Sequence, residues 1–190
     1  PPSEQAFPFI DELSGILAQQ LKPLLPKVGV DVPFLIVGLG NEYATPDALG
    51  PQAVAFIQPT RHFFLHVPEA VSEGLQCVSA LSPGVMGMTG LETSEVLRGV
   101  VNHIHPCCVV VIDSLSAASI RRIGTTIQIS DTGIRPGSGL DNQRQAIDES
   151  TMGCPVVAIG VPMIVKAATI AYDTLSAVLQ ILQMEHSSKE

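Results

Sequence analysis

Cys107-Cys108-Val109-Val110-Val111-Ile112 runs into Asp113, and the reading of this stretch decides the fold. Six consecutive apolar residues with no polar face describe a strand buried on both sides, the condition of a central strand in a parallel sheet. The aspartate ends the run, so the strand is predicted to stop there with a carboxylate at its carboxyl end.

Working outward, Pro33-Phe34-Leu35-Ile36-Val37-Gly38-Leu39, closed by Gly40-Asn41, has the same character, as does Val156 to Gly160. Thr125 to Ser130 alternates as Thr-Thr-Ile-Gln-Ile-Ser and predicts a strand with one more polar face, stopping at Asp131. Two further strands are predicted, in Thr60 to Val67 and in Gln76 to Leu81. Thr93 opens a helix that reaches about His105 before Pro106 ends it, and Pro162 opens a long helix from Met163 to about Met184. Pro8 to Leu25 has a helical apolar rhythm, interrupted by Pro23, Pro26 and Gly29, which reads as a short docking helix and a linker.

Alternating strands and helices imply right-handed crossovers and a three-layer α/β/α domain on a mostly parallel central sheet, phosphorylase/hydrolase-like in architecture. The expected divisions are an N-terminal helix and linker over 1–32, one α/β core over 33–185 and a frayed tail over 186–190.

The composition agrees. Of 190 residues, 46% are hydrophobic and only 15% charged, against about 25% charged in ordinary soluble domains, so much of the chain must be buried or self-associated. Aromatics make up 4% and Trp is absent, which leaves Val, Ile, Leu and Ala to build the core. Ten basic residues face eighteen acidic ones, for a net charge of −8, and no basic run exceeds Arg121-Arg122. Binding to nucleic acid or to an anionic membrane is not expected. No apolar run approaches the roughly 18 residues of a membrane span. The opening Pro1-Pro2-Ser3-Glu4 lacks a basic signal-peptide start and an initiating Met, as in a processed or trimmed chain. Cys77, Cys107, Cys108 and Cys154 form no CxxC pair and have no His at ligand spacing, so they are expected to be reduced, buried thiols of a cytoplasmic protein.

In open parallel sheets, chemistry gathers in the crevice beyond the carboxyl ends of the strands. Asp47, in the loop after the first strand, Asp113 and Asp131 are all predicted at that edge. Each alone could cap a helix or bond a turn amide; three together favour acid/base or metal chemistry. Two carboxylates a few ångströms apart cannot both ionise easily, so one can hold a proton while the other takes one from water. Amide hydrolysis then needs no Ser or Cys nucleophile.

Other signals are weaker. Ser130-Asp131-Thr132-Gly133 contains the Asp-Thr-Gly of pepsin-like and retroviral proteases, but those enzymes are all-β and need two such triplets. Gly38-Leu39-Gly40 lacks the third glycine of a dinucleotide fingerprint. Gly133, Gly137 and Gly139 with Arg135 form a loop that could hold an anion or a substrate backbone. Ser114 and Ser116 have no nucleophile elbow, His62, His66, His103 and His105 sit in unrelated contexts, and a low-pKa thiolate is not expected at Cys107 or Cys108 inside a strand.

Gly38-Leu39-Gly40-Asn41, Thr45-Pro46-Asp47-Ala48-Leu49-Gly50-Pro51, Thr60-Arg61-His62, Pro83-Gly84-Val85-Met86-Gly87, Thr89-Gly90-Leu91-Glu92-Thr93-Ser94-Glu95, Ile112-Asp113-Ser114-Leu115, the run Ile127 to Gly139 and Gly160-Val161-Pro162 together resemble the spore germination protease family. The resemblance extends in order from about Pro33 to Asp173. It implies the fold of hydrogenase maturation proteases and an endopeptidase, made as a zymogen and assembled as a homotetramer, that degrades small acid-soluble spore proteins in the cytoplasm of the spore core. It implies an atypical aspartic-type mechanism with Asp47 and Asp113 as catalytic residues and no cofactor. Asp131, Asn41, Glu92, Arg135 and Ser114 are carried over as supporting or substrate-loop residues. Two departures stand out: the family's longer flanking segments, including the propeptide, are not matched, and Ser114 replaces the usual Ala after the strand aspartate, where its hydroxyl could bond the carboxylate. The alternatives are a metal-dependent maturation-type peptidase and a core-only, non-catalytic paralogue with an assembly or regulatory role.

Overall fold

The computed structural model describes residues 8–137 and 144–187. Its centre is a five-stranded sheet of β1 (Phe34–Gly38), β2 (Val78–Leu81), β3 (Cys108–Ala117), β4 (Gln128–Ser130) and β5 (Val156–Val165) in the order β2-β1-β3-β5-β4. Every pairing is parallel except β4 with β5. One face carries Leu35, Val37, Val109, Val111 and Val156, closed over by Leu97 and Val101 of α5 (Thr93–Ile104) and by Ile147 and Met152, the latter in α6 (Glu149–Met152). The other face carries Phe34, Cys108, Val110 and Val157, against which Leu21, Leu24 and Leu25 pack. The expected three-layer α/β/α architecture is present, and the apolar run from Cys108 is its central strand.

Four elements differ from expectation. Thr60 to Val67 is not a strand: Arg61–His66 forms helix α3. Thr60 alone joins the sheet edge, donating its N–H to Val78 O while its hydroxyl accepts from Val78 N. The β-favouring Phe63, Phe64 and Leu65 then curl away from an edge position that one residue has already filled. β3 continues past Asp113 to Ala117, because β5 also continues, to Val165, and pairs with it. Pro162 lies within β5 rather than opening a helix. It sits beyond Gly160, the last β5 residue paired with β4, next to a bulge at which Met163 is extra, so its missing N–H costs no ladder bond on that side. The last helix, α7, runs from Ala167 to Ser187; the expected frayed tail starts inside it and its final three residues lie outside the described residues.

The N-terminal helix α1 (Pro8–Leu21) leaves Phe9, Ile10 and Ile16 exposed, while the linker after it is tied down by Gln76, whose side-chain amide donates to the carbonyls of Gly29, Val30 and Val32. In α7, Tyr172, Leu175, Leu179 and Ile181 are also exposed. No helix among the described residues is long and apolar enough to cross a membrane. All four cysteines are free thiols, and burial raises the pKa of each, that of Cys108 to about 11.

The part of the fold that matters for the site is the crossing of α2 (Leu49–Ala55) over the ends of β1 and β3. A Cβ on Gly38 would collide with the Gly50 carbonyl, and one on Gly50 would fall on the Leu39 backbone and within 2.6 Å of Ile112 O. Two glycines therefore let the first turn of α2 rest directly on strand backbone. Gly50→Ala is expected to cost on the order of 3 kcal/mol of stability in urea unfolding. Gly99→Ala, in α5 with no atom within 4 Å of the added Cβ, should stabilise by up to about 1 kcal/mol. Equal effects of the two would refute the close-contact argument.

Candidate active site

β1 ends at Gly38, paired with Ile112, so from Asp113 onward β3 has lost its β1 neighbour. The chain leaves β1 toward β2 on one side, while β3 lies on the other, and the crevice between diverging connections opens at their carboxyl ends. A cleft of about 460 Å³ occupies this place, lined among others by Gly40, Asp47, Thr93, Asp113, Ser114, Arg135 and Arg144.

Asp47 arrives on a single 3-10 turn, Thr45–Asp47, set up by Pro46. Its Oδ2 accepts from the Asn41 N–H at 2.8 Å, which ties the loop into a ring. Gly40, at φ 116°, closes that ring: its backbone is one that side chains rarely adopt, and a Cβ there would strike the Asp47 carbonyl. Asn41 also accepts from Tyr43 N through its Oδ1 at 3.0 Å. Its contribution to Asp47 is thus made by its backbone, with its side chain folding the turn that follows.

Asp113 is 6% exposed. Burial in the apolar sheet pushes its carboxyl up from the ordinary 3.8 to about 7, and the negative charge of Asp47 adds to the rise; the Ser114 N–H on Oδ1, at 2.9 Å, and the Arg144 guanidinium pull the other way. The cleft therefore presents a carboxyl that keeps its proton well above the ordinary carboxylate range. Ser114 bonds the carboxylate through its amide, whereas its hydroxyl is buried without a hydrogen-bond partner, so the expected hydroxyl-to-carboxylate bond is not made.

Arg135 and Arg144 enter the cleft from the two arms of a bridge in which Ile134 and Ile147 exchange both backbone hydrogen bonds, at 2.9 and 2.8 Å. Ile147 is fully buried in the core, and Gly133, at φ 77°, lets the arms approach where a Cβ would strike the Ile147 carbonyl. Sequence reasoning found Arg135 through the glycine-rich loop and missed Arg144, which has no motif around it. Gly139, expected in that loop, lies outside the described residues.

Asp131 is not brought to the same edge. β4 is antiparallel, so from Gln128, level with Gly160 and Asp113, it descends to Ser130, level with Val111. Asp131 continues in that direction and is exposed, outside the cleft lining. Glu92 is the N-cap position of α5, its N–H received by the Glu95 carboxylate at 3.2 Å, and it too stands outside the lining. Among the described residues no group of three or more His, Cys, Asp or Glu side chains could hold a metal ion, and those that line the cleft include two arginines beside two carboxylates.

The raised pKa has a consequence for stability. The folded chain keeps the Asp113 proton where the unfolded chain releases it, so the contribution of this carboxyl to stability is full below pH about 4 and is lost as pH rises toward about 7, by on the order of 4 kcal/mol in all. An asparagine in place of Asp113 would keep the Oδ1 that accepts from Ser114 and carry no charge. Asp113→Asn is expected to be the more stable protein in urea melts at pH 8, with the difference shrinking at pH 5. A variant less stable than wild type at both values would show that burial does not dominate this carboxyl.

Comparison with known proteins matches residues 5–190 to the germination protease family. The chain is 49% identical over 172 residues to the germination protease of Bacillus subtilis, 53% over 172 residues to that of Bacillus pumilus and 43% over 180 residues to that of Clostridium acetobutylicum. These alignments cover 90%, 90% and 94% of this chain but 47%, 46% and 55% of the relatives, so the chain spans about half the length of the curated relatives it matches. A family match over nearly the whole sequence shows that the chain belongs to the germination protease family.

Proposed function

We propose that this protein is an endopeptidase of the atypical aspartic type that hydrolyses small acid-soluble spore proteins, with Asp47 and Asp113 sharing the work of activating water. The observation that carries the reading is the joint placement of the two carboxyls in one cleft, one buried and raised to about 7, the other bound to a backbone N–H. Asp113 holds the proton and Asp47 the charge. Asp47 takes a proton from water as the water oxygen attacks the peptide carbonyl carbon, and Asp113 gives its proton to the carbonyl oxygen. The tetrahedral diol then breaks its C–N bond: the leaving nitrogen takes the proton held by Asp47, and Asp113 recovers its own from a diol hydroxyl. Each carboxyl returns to its starting state, and no covalent enzyme intermediate is needed.

Arg135 lines the space a peptide would enter and is proposed to contact substrate, while Ser114 supports Asp113 through its N–H. Asn41 keeps Asp47 in place. The supporting roles proposed for Asp131 and Glu92 are structural ones outside the cleft. The family's tetramer is proposed for this chain too, because a domain this poor in charge leaves apolar side chains of α1 and α7 uncovered. A cytoplasmic place in the spore core, and synthesis as a zymogen, complete the reading.

Asp47→Asn and Asp113→Asn should each lower the cleavage of a purified small acid-soluble spore protein by more than about a thousandfold while circular dichroism stays native. Retention of more than a tenth of the wild-type rate by either variant would remove that residue from the mechanism. Light scattering at micromolar concentration should show more than one chain per particle, and a clean monomer would refute the assembly.

A further inference from the structure

The segment that delivers Arg144 is fixed more firmly than a surface loop requires. Ile147, three residues on, is bridged to Ile134 through both backbone bonds. The Gln145 side chain accepts from the Ser94 hydroxyl of α5 at 2.8 Å, Ser94 being 2% exposed. The Ala146 carbonyl accepts from the Thr151 hydroxyl at 3.0 Å, and Asp148 caps α6 through Thr151 N. Every residue from 145 to 148 is thus held by the core or by a helix end, and the guanidinium one residue earlier lines the same cleft as the two aspartates. A substrate-gripping side chain gains nothing from this anchoring that a looser loop would not give; a charge that must act at a fixed distance does.

We propose that Arg144 is a positioning residue that acts through Asp113, its fixed positive charge setting how strongly that carboxyl gives up its proton and hence the alkaline limit of the reaction. The inference rests on the proposed roles of Asp47 and Asp113. Among the described residues, the charged groups that line the cleft with Asp113 are Asp47 from the loop after β1, Arg135 from the segment after β4 and Arg144 from the segment before α6; Thr93 of α5 and Gly160 of β5 bring none. Of the two arginines, Arg144 is the one whose charge opposes burial at Asp113. Buried without it, the carboxyl would hold its proton further into the alkaline range and be a weaker acid toward the carbonyl oxygen.

The test compares Arg144→Gln, Arg144→Met, Arg144→Lys and Arg135→Gln with wild type, following Asp113 by carboxyl 13C NMR as pH is raised and, separately, the pH dependence of kcat/KM on a small acid-soluble spore protein. In Arg144→Gln the Asp113 titration and the alkaline limb of kcat/KM should both move up by a fraction of a pH unit, with kcat falling and KM little changed. Arg144→Met, which keeps the length of the stem, reads the same shift should the Gln variant fold poorly. Arg144→Lys should restore the titration, and Arg135→Gln should leave it in place. An Asp113 titration unmoved in both neutral variants, or a rise in KM alone, would overturn the proposal. If wild type cleaves nothing, the dyad reading fails, and the NMR titration still decides whether Arg144 acts on Asp113.

Discussion

The contact on which the site depends is backbone against backbone. Gly38 at the end of β1 and Gly50 in the first turn of α2 meet with no side chain between them, and Gly50 also touches the carbonyl of Ile112, the residue before Asp113. The loop that carries Asp47 is the short connection between these two glycines, so once they are in contact it has almost nowhere to go but over the start of the unpaired part of β3. Gly40 then folds the loop back against the Asp47 carbonyl. Bringing two carboxyls into one cleft opposes their mutual repulsion, and here packing supplies the force: α2 cannot leave without opening the sheet end.

What packing brings together, burial differentiates. Asp113 projects from a strand whose neighbours are Val, Ile and Ala, and it is nearly closed off from solvent. Asp47 is half-buried and has a backbone N–H to receive. Two chemically identical groups therefore occupy unlike surroundings, which is the difference that the proposed acid and base roles require. Among the described residues that line the cleft, two arginines balance the two carboxylates, in a chain with a net charge of −8.

Much of this was legible in the sequence where the chain itself creates the environment. An unbroken apolar run that meets an aspartate makes a buried carboxyl wherever the strand lies, and Thr-Pro-Asp after Gly-Leu-Gly-Asn makes a tight turn with an acid on it. Residues whose surroundings come from distant chain were not legible. Thr60 to Val67 has strand-forming residues, yet Thr60 fills the edge position by itself and the rest becomes a helix. Asp131 follows a strand-like run in the sequence as Asp113 does, but whether such a residue reaches the crevice depends on strand direction, and β4 runs the other way. Pro162 reads as a helix start because its neighbours do not reveal that β5 outlasts β4. Arg144 reaches the cleft only through the Ile134–Ile147 bridge, a pairing across thirteen residues that no local pattern announces.

The central claim, a metal-free carboxyl pair sharing one proton, is tested most directly by the pH dependence of kcat/KM on a short peptide from a small acid-soluble spore protein, with and without a chelator. A shared-proton pair requires a rate that declines as pH rises through about 7, where Asp113 loses its proton, and that the chelator leaves unchanged. A rate that climbs from acid to neutral pH and disappears with the chelator would contradict it, since that is the behaviour of a metal-bound water ionising near pH ~7.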